Sequence, residues 1–269
     1  MNHPTPTAPP ELACPGCLGG LVPADDRAPI PSLECARCDR VYSAELGFVD
    51  FIDLPTTGAQ GLGPRLMHSR ALAGVYERLW RPFFVAVASG ARPNFAEELD
   101  QVLQALAPAE GGVVVDLSCG PGFTGRHLAH SRRFARVFGL DWSVPMLQRA
   151  LAARDRELPL LRADVARLPF ARGALAGVHA GAALHLWPDP ASAIAEAARV
   201  LRTGGVLVAS TFTYPEQPLL RPLAAGFQAI SSARVFEVEE LAGTCRAHGL
   251  VDFTAQRRGA LILFSATRA

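Results

Sequence analysis

The chain has 269 residues, 49% of them hydrophobic, which is enough for one α/β domain and a small appendage. It has no apolar run of about 18 residues, so no membrane-spanning helix is expected. Its 26 basic and 25 acidic residues leave a net charge of +1. All the basic residues are arginine and none form a cluster, which argues against a nucleic-acid partner.

Residues 1–10 are rich in Pro and Thr and lack an apolar core, so they read as a disordered tail and not a signal peptide. The expected location is cytoplasmic. Four cysteines then fall as Cys14-Pro-Gly-Cys17 and Cys35-Ala-Arg-Cys38. One C-x-x-C alone would read as a redox or incidental pair. Two such knuckles, separated by residues 18–34, suit a tetrahedral zinc ribbon in which each turn presents two thiolates. Four sulfur ligands leave no open coordination position, so the expected Zn2+ is structural. Alternation near Val41, Tyr42, Phe48, Val49, Phe51 and Ile52 would supply the short strands of this ribbon, assigned to residues 11–54.

Pro55 to Pro64 reads as a linker. Leu72, Val75, Tyr76, Leu79 and Trp80 then form the stripe of an amphipathic helix, and a second helix is expected over Phe95 to Leu106 with Leu99, Val102, Leu103 and Leu106 inward. Core packing accounts for most of these positions. Tyr76 and Trp80 would line a pocket if the first helix acts as a lid, so residues 55–110 are assigned as linker and lid helices.

From residue 111 to 269, strand and helix patterns alternate as in a parallel sheet covered on both faces. Strands are expected at Val113–Leu117, Arg136–Leu140, Pro159–Arg162, Gly177–Gly181 and Val206–Phe212. A helix follows the first strand, another is capped by Ser143, and a third runs from Asp189 and Pro190 to Leu201, closed by Gly204-Gly205. Thr213 to Phe236 reads as a cap over the site. A helix over Val238 to His248 and two strands joined at Arg258-Gly259 complete the pattern, the pair forming a hairpin at the sheet edge with one reversed edge strand.

The first strand ends Val115-Asp116-Leu117-Ser118-Cys119-Gly120-Pro121-Gly122. Gly120-x-Gly122-x-x-Gly125, with Asp141 about 20 residues on, is formally a dinucleotide fingerprint. Its register is wrong for that fold, because four residues separate the strand's apolar run from the first glycine. An acid at the strand tip would repel a diphosphate, whereas it would attract an amino acid's ammonium group. Acids also stand at the next two strand ends, Asp141 and Asp164, where ligands bind in parallel sheets.

Asp116-x-Ser118-x-Gly120-x-Gly122 resembles the first motif of class I S-adenosylmethionine-dependent methyltransferases, with Ser118 where the family usually has its first glycine. Arg162 to Phe170, Val178 to Pro188 and Arg199 to Gly205 look like later motifs of that superfamily. The wording around His179 to Trp187 and from Gly249 to Ser265 is similar to a plastid and bacterial group related to quinone-ring methyltransferases. The resemblance implies a Rossmann-like fold with a seven-stranded, mostly parallel sheet. It assigns Asp116 to the methionine end of the cofactor, largely through water, and Ser118, Cys119, Gly120 and Gly122 to the loop that approaches it. Asp141 would accept hydrogen bonds from the ribose hydroxyls. Asp164 and the Val165 amide would read the adenine edge, with Trp142 and Leu168 or its neighbours sandwiching the ring and Met146 nearby. The backbone of Ala180 and Gly181 would contact the methionine portion.

The stretch from Ala180 to His185 lacks the Asn or Asp followed by Pro-Pro that methylases of exocyclic base amines carry. His185 is a candidate base for a hydroxyl or acidic carbon, with a helix-turn or core histidine as the equal alternative. Trp187, Phe212 and Tyr214 are candidate substrate-shaping groups, which suggests a small hydrophobic or aromatic acceptor of natural-product or quinone type. A zinc ribbon followed by a methyltransferase is also similar to ribosomal RNA guanine-N1 methyltransferases, but the near-neutral charge and the dispersed Arg27, Arg37 and Arg40 oppose that alternative. A second alternative is a cofactor-binding protein of this fold with non-methylating chemistry.

Overall fold

The computed structural model describes residues 8–24, 30–52, 94–153, 155, 157–217, 219, 221–222, 226, 228–229 and 233–269. The expected linker and first amphipathic helix, with Tyr76 and Trp80, lie outside the described residues.

The cysteine segment forms a three-stranded antiparallel sheet of β1 (Leu21–Pro23), β2 (Leu33–Cys35) and β3 (Val41–Tyr42). A fourth short strand, β4 (Val49–Asp50), leaves this sheet and pairs in parallel with a strand of the main sheet. Helix α1 (Phe95–Ala105) follows, capped by Asn94, whose side chain accepts the Glu97 N–H. The main sheet is then built from β5 (Val113–Leu117), β6 (Arg136–Asp141), β7 (Leu160–Arg162), β8 (Leu175–Ala180), β9 (Leu201–Phe212), β10 (Leu250–Arg258) and β11 (Leu261–Arg268). Between these strands lie α2 (Phe123–His130), α3 (Val144–Ala152), α4 (Pro190–Val200) and α5 (Val238–Ala247).

The strand order is β10-β11-β9-β8-β5-β6-β7-β4. All seven expected strands are present, and β4 adds an eighth. Strand β11 runs antiparallel to both neighbours and lies between β9 and β10, so the reversed strand sits one place in from the edge and not at it.

Successive residues of β5 feed opposite layers, as a buried strand requires. Val114 packs with α1, α2 and α3 through Val102, Leu128 and Leu147. Val115 and Leu117 face the other way, towards Ile194, Ala197 and Leu241 of α4 and α5. In α1, Leu99 and Val102 are buried and Leu103 packs at the margin, while Leu106, just past the helix end, is fully buried, so this second helix is a core element and not a lid.

Two local expectations are corrected. Phe48, Val49 and Phe51 do not belong to the ribbon sheet. Phe51 N–H donates to the Arg162 carbonyl at 2.7 Å, and β4 thereby covers an edge whose backbone groups would otherwise lack partners. Gly204-Gly205 does not close α4, because the backbone turns extended at Leu201, which already pairs with Leu175. The next pair is Gly177 with Val206, so residues 202–205 form a bulge that uses Gly204 at φ +75°.

The cysteine module shares its core with the large sheet. Leu21, Leu33 and Tyr42 belong to the same buried cluster as Phe138 and Phe170. Leu12 bridges to Phe170, Arg136 pairs with Glu11 at 2.9 Å, and Arg162 pairs with Asp50 at 2.8 Å. Phe170 is fully buried, edge-on to Phe138 with ring centroids 5.5 Å apart. Phe170→Ala should therefore destabilise the fold by about 3–5 kcal/mol, measured as a fall in the urea midpoint.

Candidate active site

Strands β5, β6 and β7 end side by side, and the change of strand order between β5 and β8 opens a crevice at their carboxyl ends. Asp141, at the end of β6, organises the turn after β5. Its Oδ2 accepts the Gly120 N–H and its Oδ1 accepts the Ser143 N–H, both at 2.7 Å. Burial outweighs these bonds and raises the Asp141 pKa to about 6, with the nearby Asp116 carboxylate adding to the rise. Gly120 has φ +55°, and a side chain there would meet nothing within 4 Å, so the turn borders open space. Gly122 caps α2 at φ +83°. Cys119 is buried, its N–H donates to the Leu140 carbonyl at 3.0 Å, and burial followed by the two acids holds its thiol far above the usual range.

Ser118 adopts a left-handed φ of +53°, a conformation that favours glycine. Its Oγ accepts the Trp187 Nε1–H at 3.0 Å, which ties the first loop to the segment after β8. Across the crevice, Ala182 is also left-handed at φ +48°, and its N–H donates to Ser210 Oγ at 2.8 Å. Ala180 is fully buried in β8 and Gly181 follows at the strand end. Non-glycine residues in such conformations persist where neighbours hold them, often at working sites.

On the β6–β7 side, the Trp142 carbonyl accepts Arg162 Nε–H at 2.9 Å, and Asp164 Oδ1 accepts the Ala166 N–H at 2.9 Å. Val165 is half-buried beside them, and Met146 packs inward in the first turn of α3. Leu168 is fully buried, with its N–H donating to Glu196 Oε2, so it is a core residue and not one face of a ring sandwich.

His185 is buried, with its ring 4.4 Å from Phe212 in an edge contact. Its Nδ1 has no hydrogen-bond partner among the described residues. Desolvation lowers its pKa to about 3, so the imidazole is neutral near pH 7. The His185 carbonyl accepts the Arg234 N–H at 2.9 Å, and a bridge between Thr213 and Phe236 draws together the two ends of the excursion after β9. Tyr214 stands at that neck, its carbonyl held by Arg257 at 2.9 Å.

Asp116 departs most from its sequence-based role. It is 2% exposed, and its Oδ1 lies 2.7 Å from His179 Nδ1. His179 and Ser210 were missed as site residues. The relevant signal is the pairing of Asp116 with His179 across β5 and β8, which no local pattern encodes.

The cysteine sulfurs lie within 4.8 Å of one another, with Cys14–Cys38 at 3.7 Å, Cys17–Cys35 at 3.4 Å and Cys17–Cys38 at 3.5 Å. A tetrahedral ion with metal–sulfur bonds of about 2.3 Å needs sulfurs about 3.8 Å apart, whereas a disulfide needs about 2.05 Å. Tyr42 OH, 3.0 Å from Cys14 Sγ, is placed to orient one ligand.

Residues 115–209 match the family model described as methyltransferase domain. The chain is 37% identical to the uncharacterized methyltransferase At1g78140, chloroplastic, of Arabidopsis thaliana, over 96% of this chain and 78% of that one. It is 36% identical to the demethylmenaquinone methyltransferase of Corynebacterium kroppenstedtii, over 42% of this chain and 48% of that one. The fold superposes with a TM-score of 0.57 on the Haemonchus contortus phosphoethanolamine N-methyltransferase 2 in complex with S-adenosyl-L-methionine, at 14% identity over 64% of this chain and 52% of that one. The chain belongs to the class I S-adenosylmethionine-dependent methyltransferases. The open cradle over Gly120, lined by acids at the strand ends, fits that cofactor.

Because His185 is neutral in the fold and ionises readily once unfolded, its low pKa removes stability as pH falls from about 6.5 towards 3. Asp141, with its raised pKa, acts in the opposite sense, losing stability as pH rises from about 4 towards 6. Comparing urea midpoints of the wild type and His185→Phe isolates the histidine, since both retain Asp141. The difference should shift in favour of the variant as pH falls below about 6.5.

Proposed function

We propose that the protein methylates a small hydrophobic or aromatic acceptor of natural-product or quinone-like type. The observation that carries this reading is the pair of buried rings His185 and Phe212, 4.4 Å apart, with Trp187 tied to Ser118 of the glycine loop, all on the segments that follow β8 and end β9. The partial likeness to a demethylmenaquinone methyltransferase supports the same acceptor class. Near-neutral charge and the absence of a run of basic residues in the sequence weigh against the ribosomal RNA alternative.

In this reading S-adenosylmethionine supplies the methyl group, and the chain supplies alignment, the main requirement of an in-line displacement. Asp141 holds the ribose end. Each of its oxygens already accepts one amide and keeps a lone pair for a hydroxyl. Asp164 and Val165 serve the adenine edge beside Trp142, with Met146 beneath. Ser118, Cys119, Gly120 and Gly122 form the approach loop, and Ala180 and Gly181 face the methionine portion. A base of pKa about 3 is poorly matched to proton removal near pH 7. His185 therefore serves this reading best by accepting a hydrogen bond from the acceptor's hydroxyl at Nδ1, which orients the nucleophile while Trp187, Phe212 and Tyr214 exclude water.

The four thiols hold a structural zinc ion, which requires a reducing compartment. The cytosol satisfies that condition, as does any organelle interior that is itself kept reducing. Freshly purified protein should carry one zinc per chain by elemental analysis, and Cys35→Ser should lose it together with thermal stability. Protein free of zinc would overturn the assignment.

Calorimetry tests the ribose role directly. Asp141→Ala should bind S-adenosylmethionine at least about tenfold more weakly, the loss of a charge-assisted hydrogen bond, and unchanged affinity would remove the role. For the acceptor, S-adenosylhomocysteine production should follow addition of hydroquinones or phenols. Turnover with RNA alone would reverse the assignment.

A further inference from the structure

The buried pair Asp116–His179 joins β5 and β8 side chain to side chain near the carboxyl ends of the strands. The two residues are register partners on adjacent parallel strands, with side chains 3% exposed each. The His179 ring touches two elements of the site. Its Nδ1 bonds Asp116 Oδ1 at 2.7 Å, and its Cε1 lies where a Cβ on Gly181 would come within 2.9 Å. Only glycine at 181 lets the chain after β8 pass over this ring. Asp116 Oδ2 points the other way, 3.1 Å from the place a Cβ on Gly125 would occupy, and has no hydrogen-bond partner among the described residues.

A carboxylate this deep is costly to ionise unless a donor holds it. His179 offers an Nδ1–H donor in its protonated form and in one neutral tautomer, and an apolar side chain of similar size would offer none. The charge of Asp116 is felt nearby, since it adds to the raised pKa of both Asp141 and Cys119 at the crevice. The methyl-donating cofactor differs from its product by one positive charge, that of the sulfonium. A fixed negative charge under the crevice therefore favours the first over the second.

We propose that His179 is a positioning residue that holds and aims the Asp116 carboxylate, and that the pair thereby makes the site bind S-adenosylmethionine in preference to S-adenosylhomocysteine. The consequence is weaker product retention after each transfer. The proposal rests on the binding of that cofactor at the ends of β5 to β7.

Calorimetric Kd values for the two ligands test it in the full chain. His179→Phe should weaken both ligands through the ammonium group they share and should weaken S-adenosylmethionine at least about threefold more than S-adenosylhomocysteine, the part owed to the sulfonium charge. His179→Asn, whose amide can donate from nearly the position of Nδ1, should restore the wild-type ratio. Asp116→Asn, which keeps the volume and removes the charge, should reproduce the selective loss and serves if the phenylalanine variant does not fold. Equal weakening of both ligands, or no change in either, would overturn the proposal. Wild-type protein that bound neither ligand would instead overturn the cofactor site on which it rests.

Discussion

The site depends on one carboxylate that satisfies two backbone amides from different loops. Asp141 takes the Gly120 N–H from the turn after β5 and the Ser143 N–H at the start of α3. Inside the turn after β5 the Gly122 N–H bonds the Cys119 carbonyl at 2.9 Å, whereas the Gly120 N–H has its partner in Asp141, and a buried unpaired N–H costs about 1–3 kcal/mol. By meeting both, Asp141 fixes how far the glycine turn stands from the sheet and where the next helix begins. The strain at Ser118 is held from the other side by Trp187. The cradle over Gly120 is thus shaped before any ligand arrives, which spares the ordering cost of binding.

The Asp116–His179 pair occupies the layer below. It is braced by two glycines, each placed where a methyl group would press on it. Gly125 and Gly181 belong to different motifs, so the spacing of both is set by one buried hydrogen-bonded pair and not by the ligand alone. Such a pair contributes little net stability for its desolvation cost, which leaves the proposed role in cofactor binding as the reason for its placement.

The strands of the main sheet were legible because long β-branched and apolar runs leave few alternatives, and β5 falls on Val113–Leu117 as expected. The acids at the strand ends were legible for the same reason, since the strand boundaries place them. Three features were not. The two-residue strand β4 carries too little pattern to reveal which sheet it joins. Gly204-Gly205 has the composition of a helix end, yet the chain had already turned extended at Leu201 and used the glycine in a bulge. His179 looked like one more residue of a buried strand. Its importance lies in the register between β5 and β8, strands separated by β6 and β7 in sequence, and no local window contains that pairing.

The placement of β4 explains why the cysteine module is more than an appendage. Strand β7 has three residues and would present an open edge next to the Asp164 side of the crevice. Pairing with β4 closes it, and Arg162 then joins the two parts: one nitrogen holds Asp50 of the module, while another holds the Trp142 carbonyl beside Asp141. A short strand gains little from its own hydrogen bonds, so its position must come from what it packs against. Here that support is the shared core of Leu12, Tyr42, Phe51 and Phe170, whose other boundary is the four-cysteine cluster. The geometry of the crevice on its β7 side is therefore set partly by residues more than a hundred positions earlier in the chain, through packing and one half-buried arginine bridge.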